Sequence, residues 1–359
     1  MSAPTATATY EAKAWGSTSA TAPLEFLKIQ RRVPGATDVK INVEYTGICH
    51  SDYHTVKGDW GPTPYPCVPG HEIVGTVTEV GSGVTKFKVG DFVGVGCLVD
   101  SCRTCDECHS GTEQFCPSMT LSYGAPDKHI PGAHTLGGYS SSVVVEQGFV
   151  VSIPTTLDRK AVAPLLCAGI TTYSPLRREN VTTGTKVGVV GLGGLGHMAI
   201  KLAKAMGAEV TMITTSVHKA ADAERLGASR VILSKEPEQL KAAAGTLDLI
   251  IDTVSAEHDV NSLIALLKFR GKLCFVGAPP TPHSIGAFPL VLGNKSIFGS
   301  AIGGLAETQE MLDFCGEHNI VSDAEVISVD DINEAYERML KSDVKYRFVI
   351  DMTSLKKHE

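Results

Sequence analysis

At 359 residues the chain is long enough for two domains, each with its own core. Its 43% hydrophobic and 20% charged residues are an ordinary globular balance, and no apolar run approaches the roughly 20 residues needed to span a bilayer. A formal charge of −7 with no basic stripe excludes a nucleic-acid surface and leaves a small-molecule partner as the expectation; Arg177 and Arg178 are a solvated pair.

The opening MSAPTATATY has neither a basic n-region nor an apolar h-region, so the expected location is the cytoplasm. Thiols stay reduced there, and the ten cysteines do not read as a disulfide framework. No 20- to 50-residue period recurs, which argues against a solenoid. The chain up to about Pro164 reads as β-rich. DVKINVEYTG alternates Val39, Ile41, Val43 and Tyr45, the period of a half-buried strand. HEIVGTVTEVGSGVTKFKVGDFVGV predicts two strands broken at VGSG, and YSSSVVVEQGFVVSIP predicts two more.

Between these strands lies SCRTCDECHSGTEQFC, with Cys102, Cys105, Cys108 and Cys116. The spacing suits one tetrahedral zinc held by four thiolates, a closed site and therefore a structural one. A redox C-x-x-C would open an apolar helix, whereas this stretch is polar; His109 reads as solvated. Upstream stand Cys49 in GICHSDYH and His71 beside Glu72 in VPGHEIVG. Taken alone, such a Cys is as readily a small core residue and such a His a satisfied hydrogen-bonder. HEIVG also lacks the second His of a zinc protease. Cys67, Cys97, Cys274 and Cys315 read as buried small hydrophobes, and His129 and His134 as parts of a surface loop.

After Pro164 the pattern changes. TKVGVV is a short buried strand, GLGGLG a tight turn, and HMAIKLAKAMG a helix stopped at Gly207. Strands are then expected at VTMIT, RVILS, LDLIIDTV, KLCFVGA and SIFGSAI, with helices at KAADAERLGA and VNSLIALLKFRG. Six strands alternating with helices predict an α/β doubly wound parallel sheet, a Rossmann fold. The tail, a helix from AETQEMLDFCGEHNI and a strand at YRFVIDM, is too short for a third domain and should return to the first.

Gly191, Gly193 and Gly196 fit G-x-G-x-x-G, with Gly194 and Leu195 completing the turn. The first permits the turn, the second admits a pyrophosphate, and the third lets helix pack on strand. The helix N-terminus then faces the phosphates. Because the motif follows a strand and opens a helix, it predicts dinucleotide binding. An NAD site places an acid about 20 residues on. Here no carboxylate lies between Met212 and Lys219, while Thr215, Ser216 and Lys219 offer two hydroxyls and a cation, which favours the 2′-phosphate of NADP.

GICHSDYH, YPCVPGHEIVG, the four-cysteine lobe, LLCAGITTYSPL and GLGGLGHMAIKLAKAMG occur in that order and spacing. Together they resemble the zinc-dependent medium-chain alcohol dehydrogenases, in the branch of cinnamyl alcohol dehydrogenases and NADP-dependent broad-specificity aldehyde reductases. The resemblance runs from about Glu11 to Met352. It implies a β-rich GroES-like catalytic domain in two parts, 1–164 and 304–359, around a Rossmann domain at 165–303, with a cleft between domains and a homodimer. Two zinc ions per chain and NADP(H) follow as cofactors.

It further implies that Cys49, His71 and Cys167 hold a catalytic zinc and that the lobe cysteines hold a structural one. Asp52 would fix the tautomer of His71. Glu72 would approach the metal as ligands exchange, Ser51 and His54 would relay a proton, and His50 would meet the cofactor pyrophosphate. Trp60, Leu121, Ala301 and Ile302 fall near substrate-pocket positions, although Trp60 reads equally well as core packing. The plant lignin-forming enzymes tend to carry Trp where Leu121 stands, so broader use of medium-sized and aromatic aldehydes is expected. A zinc-lobed interaction module, a quinone-reductase relative without catalytic zinc, and a polyol dehydrogenase are the competing readings.

Overall fold

A computed structural model describes residues 8–358. Two compact units emerge, one from the chain up to Cys167 joined by Gly303 onward, the other from Ala168–Ile302. The division falls after Cys167, not before residue 165, so Cys167 stays in the unit that holds Cys49 and His71.

The first unit is built on a seven-stranded sheet. Asp38–Gly47 forms a strand over the whole alternating run, with Val39, Ile41 and Val43 buried. It pairs antiparallel with Ile73–Val80, Ser142–Glu146 and Arg347–Asp351. Ile73–Val80 then pairs with Phe92–Val95, and the tail strand Arg347–Asp351 lies parallel to Ala324–Ser328. The tail strand is thus part of the sheet of the first unit, where Val349 and Ile350 are fully buried. Sequence reading did not find Ala324–Ser328 or the helix Ile332–Leu340.

The second unit is a six-stranded, all-parallel sheet. In its own chain order the strands run 3-2-1-4-5-6, the doubly wound dinucleotide-binding arrangement. The centre is apolar throughout: Val187, Val189, Ile213, Ile250 and Leu273 are all but fully covered. One expected helix is shortened. VNSLIALLKFRG is helical only over Val260–Leu266, and Leu267 joins the strand Leu267–Phe275 beside Leu247. The buried Leu263, Ile264, Leu266 and Leu267 carry one apolar cluster, so burial and sheet pairing outweigh helical propensity at that point. The helix Pro237–Ala242 was not expected.

Candidate active site

Asp52 organises the entry to the site. The helix His50–Lys57 begins after Cys49, and Asp52, three residues on, accepts the Cys49 backbone N–H at 2.9 Å. Tyr139 OH donates to that same carboxylate oxygen at 3.4 Å, while the other oxygen accepts Gly70 N–H at 3.0 Å and lies 3.2 Å from His71 Nδ1. Asp52 is therefore wholly buried yet satisfied, and it holds His71 as the Nδ1–H tautomer with Nε2 left for another partner.

Cys49, His71, Glu72 and Cys167 come together, with donor atoms within 4.8 Å of one another. The residues reach this point from a helix start, a strand start and the end of the buried turn Ala163–Leu166. Hydrogen bonds from Cys167 and then His71 hold the Cys49 thiol well below its usual range, while Cys49 and Cys97 push Cys167 well above. Two thiols and an imidazole brought this close are ligand types that zinc takes, so the donor set fits zinc. Glu72 supports the same fit. It is fully buried, one carboxylate oxygen pairs with Arg347, and the other has no partner. Burial pushes its carboxyl up to about 7 against the pull of Arg347.

The lobe forms a second cluster, in which the sulfurs of Cys102, Cys105, Cys108 and Cys116 also lie within 4.8 Å. Backbone N–H groups of Thr104 and Cys105 point at the Cys102 sulfur, at 3.5 and 3.3 Å, and hold it at about 6. Cys116 receives N–H groups from Cys102 and Ser118, each at 3.4 Å. A loop that aims amide hydrogens at sulfur is prepared for thiolates, so this set also fits a metal.

The remaining expectations divide. Ser51 Oγ lies 3.5 Å from the Cys49 sulfur. His54 Nδ1 lies 2.8 Å from Asp59, and its ring stacks on Trp60 with centroids 5.1 Å apart. Trp60 is 67% exposed, which overturns core packing as its role; His50 and Leu121 are exposed as well. Cys67, Cys274 and Cys315 are buried as expected, but Cys97 is only half-buried and hydrogen-bonds with Cys167 beside the site. Asp59, Tyr123, Tyr139 and Arg347 were missed. Tyr123 packs on the His71 ring at 5.8 Å, and Asp59 returns to His54 because Gly58 ends the helix in the left-handed region at φ +72°.

In the second unit Gly191 turns the chain at φ +88°, and a side chain on Gly196 would collide with the Gly191 carbonyl. Gly194 and Leu195 open the helix Gly194–Ala205. Thr215 and Ser216 follow the strand Glu209–Thr214, and Lys219 Nζ donates to the Leu192 carbonyl at 2.9 Å, which brings its charge against the turn. Ala301 is exposed and Ile302 half-buried at the end of this unit.

Two family profiles match the chain. "Alcohol dehydrogenase GroES-like domain" covers residues 35–155 and "Zinc-binding dehydrogenase" covers residues 194–317. The NADP-dependent alcohol dehydrogenase C 1 of Mycolicibacterium smegmatis is 55% identical over 96% of this chain and 98% of its own. The aldehyde reductase YahK of Escherichia coli is also 55% identical, over 96% and 99%. The chain belongs to the zinc-binding alcohol dehydrogenases. The cinnamyl alcohol dehydrogenase SbCAD4 of Sorghum bicolor superposes with a TM-score of 0.94 over 98% of this chain and 100% of its own, at 49% identity. As a member of this family the protein is a zinc-dependent oxidoreductase for small alcohols and aldehydes. No helix among the described residues is long and apolar enough to cross a membrane.

Proposed function

We propose that this alcohol dehydrogenase is an NADP-dependent aldehyde reductase of broad specificity, taking medium-sized and aromatic, cinnamyl-type substrates and oxidising the matching primary alcohols. The observation that carries the reading is the close set of Cys49, half-buried, with His71 and Cys167, both buried. These are three donors of the kind that hold the catalytic zinc of alcohol dehydrogenases, one fewer than a closed site uses. The four lobe cysteines would hold a second, structural zinc. When bound, zinc supplies Lewis acidity towards a carbonyl oxygen and NADPH supplies the hydride.

The chain's own residues do the rest. Asp52 fixes the orientation of His71, and Glu72, with one free oxygen, is placed to take a ligand position during exchange. Ser51 delivers the proton that the product hydroxyl needs, and His54 resupplies it from Nε2. Asp59 holds His54 by Nδ1, and Trp60 covers one face of the ring, which fixes the direction of transfer. Trp60 and Leu121 in the first unit and Ala301 and Ile302 in the second are the proposed substrate-contact residues, and His50 is the proposed contact for the cofactor pyrophosphate.

NADP over NAD is supported by the absence of an acid between Met212 and Lys219 and by the approach of Lys219 to the turn. Changing Thr215→Asp with Lys219→Ala removes a cation and adds a repelling carboxylate. Charge-assisted hydrogen bonds are worth about 1.5–3 kcal/mol, so the NADPH/NADH preference in kcat/KM should fall by about 10- to 100-fold. An unchanged ratio would remove these residues from cofactor selection.

A homodimer through the second unit is supported by its outer strand Ser296–Gly299. Just before it in the chain come Phe288, Val291 and Leu292, each at least 74% exposed on the helix Ala287–Gly293. The cytoplasm is the proposed location, in keeping with cysteines that do not read as a disulfide framework.

The deciding experiment is reductase rate on cinnamaldehyde, benzaldehyde and butanal, with NADPH and with NADH, followed by loss of nicotinamide absorbance. Turnover of several aldehydes with NADPH is the expected result. Silence on all of them with both cofactors would overturn the reading and move polyol oxidation forward.

A further inference from the structure

The fourth strand of the second unit, Leu247–Asp252, ends directly beside the glycine turn. Thr253, the next residue, donates its backbone N–H to the Val190 carbonyl at 3.1 Å and its hydroxyl to the same oxygen at 2.7 Å. Thr253 Oγ1 and Val254 Cγ2 also stand where a side chain on Gly191 would have to go. Residues 252–254 are therefore the support on which the turn rests.

That support is closed by a pair that sequence reading did not single out. Asp252 is fully buried; one carboxylate oxygen accepts Val254 N–H at 3.1 Å, and the other lies 2.7 Å from His258 Nε2. His258 Nδ1 lies 2.8 Å from the carbonyl oxygen of Ala256. A carbonyl can only accept, so Nδ1 carries a hydrogen. The 2.7 Å contact at Nε2 then needs a second proton, on the imidazole or on the carboxyl. Without it, a lone pair would face a carboxylate. The pair thus holds together only while it keeps one more proton than a neutral histidine and an ionised aspartate have between them. Burial also raises the Asp252 carboxyl, which favours retaining that proton.

The groups facing the pair are few. His283 meets the His258 ring edge-on with centroids 4.9 Å apart, stacks on Phe275, and has its own Nε2 buried without a hydrogen-bond partner. Cys274, on the neighbouring strand, has its thiol pushed up to about 12 by burial and stays neutral.

We propose that Asp252 and His258 form a proton-bridged clasp that positions the dinucleotide-binding turn, so that cofactor affinity is high while the clasp keeps its proton and falls as rising pH removes it. The sign follows from the geometry: the closed clasp binds the proton, the open one does not, and the cofactor prefers the closed one. The effect belongs to cofactor binding and not to the zinc site, which the first unit holds complete. The inference rests on NADPH being bound at this turn.

The test is the dissociation constant of NADPH, by titration of nicotinamide fluorescence on the zinc-loaded enzyme, from about pH 6 to about pH 10. Asp252→Asn is the informative variant. Its amide can donate to a neutral His258 Nε2 while Nδ1–H still reaches Ala256, so the clasp closes without the extra proton. Wild type should lose about 10-fold in affinity across the range. Asp252→Asn should hold a flat profile close to the wild-type acid limb, and His258→Ala should bind weakly throughout.

Superimposable profiles for wild type and Asp252→Asn would overturn the clasp, as would wild-type affinity in His258→Ala. Should Asp252→Asn fail to fold, His258→Gln, which donates to Asp252 and does not titrate, must show the same flattening or the proposal falls. Wild type that binds no NADPH at any pH would instead overturn the cofactor assignment.

Discussion

Cys167→Ala should lower aldehyde turnover by about 10³-fold or more, because Lewis-acid stabilisation is worth several kcal/mol and each 1.36 kcal/mol is tenfold in rate. Zinc content should fall by one ion per chain, and NADPH binding should persist within about twofold, since the glycine turn belongs to the other unit. Cys97 hydrogen-bonds with Cys167 but lies outside the four-donor cluster, so the same change in a Cys97→Ser background should give the same loss. Retention of more than about a tenth of wild-type turnover in both would sink the assignment of Cys167 as a catalytic-zinc ligand.

Arg347→Met should be among the most destabilising single changes in the protein. Its guanidinium is 6% exposed and pairs with Glu72, which is fully buried. Removing one partner of a buried pair costs about 3–5 kcal/mol, because the other charge is left in a low dielectric. For a unit of this size that is a fall of about 6–20 °C in the thermal midpoint. Replacing both, as Glu72→Leu with Arg347→Met, removes the stranded carboxylate and should recover most of the loss despite ending activity. A single variant within about 2 °C of wild type would show that the pair is not an energetic unit.

Arg347 also shows where reading the chain stops. Glu72 was legible as a site residue through its place beside His71, but Arg347 lies 275 positions away in a strand that reads only as apolar. Nothing local marks it, since it reaches Glu72 only because Arg347–Asp351 pairs with the end of Asp38–Gly47. Cys97 was misread for the same reason: a thiol in a loop looks alike whether it faces core or another sulfur. Trp60 was undecided because its burial depends on what covers it, and in the fold its ring stacks on His54 at the surface.

What the sequence determined by itself was what short-range forces decide. The alternation in Asp38–Gly47, the glycine turn before Gly194–Ala205 and the four cysteines between Cys102 and Cys116 each lie within one element or loop. Backbone sterics and side-chain period fix such features before any distant contact forms. The tertiary structure alone decided the meeting of Cys49, His71 and Cys167, the pairing of Glu72 with Arg347, and the closing of Asp252 on His258. Those contacts depend on which strands become neighbours and what burial leaves without water. Local sequence pattern is silent on strand order, and a buried polar group is obliged to find a partner only once the strands have closed around it.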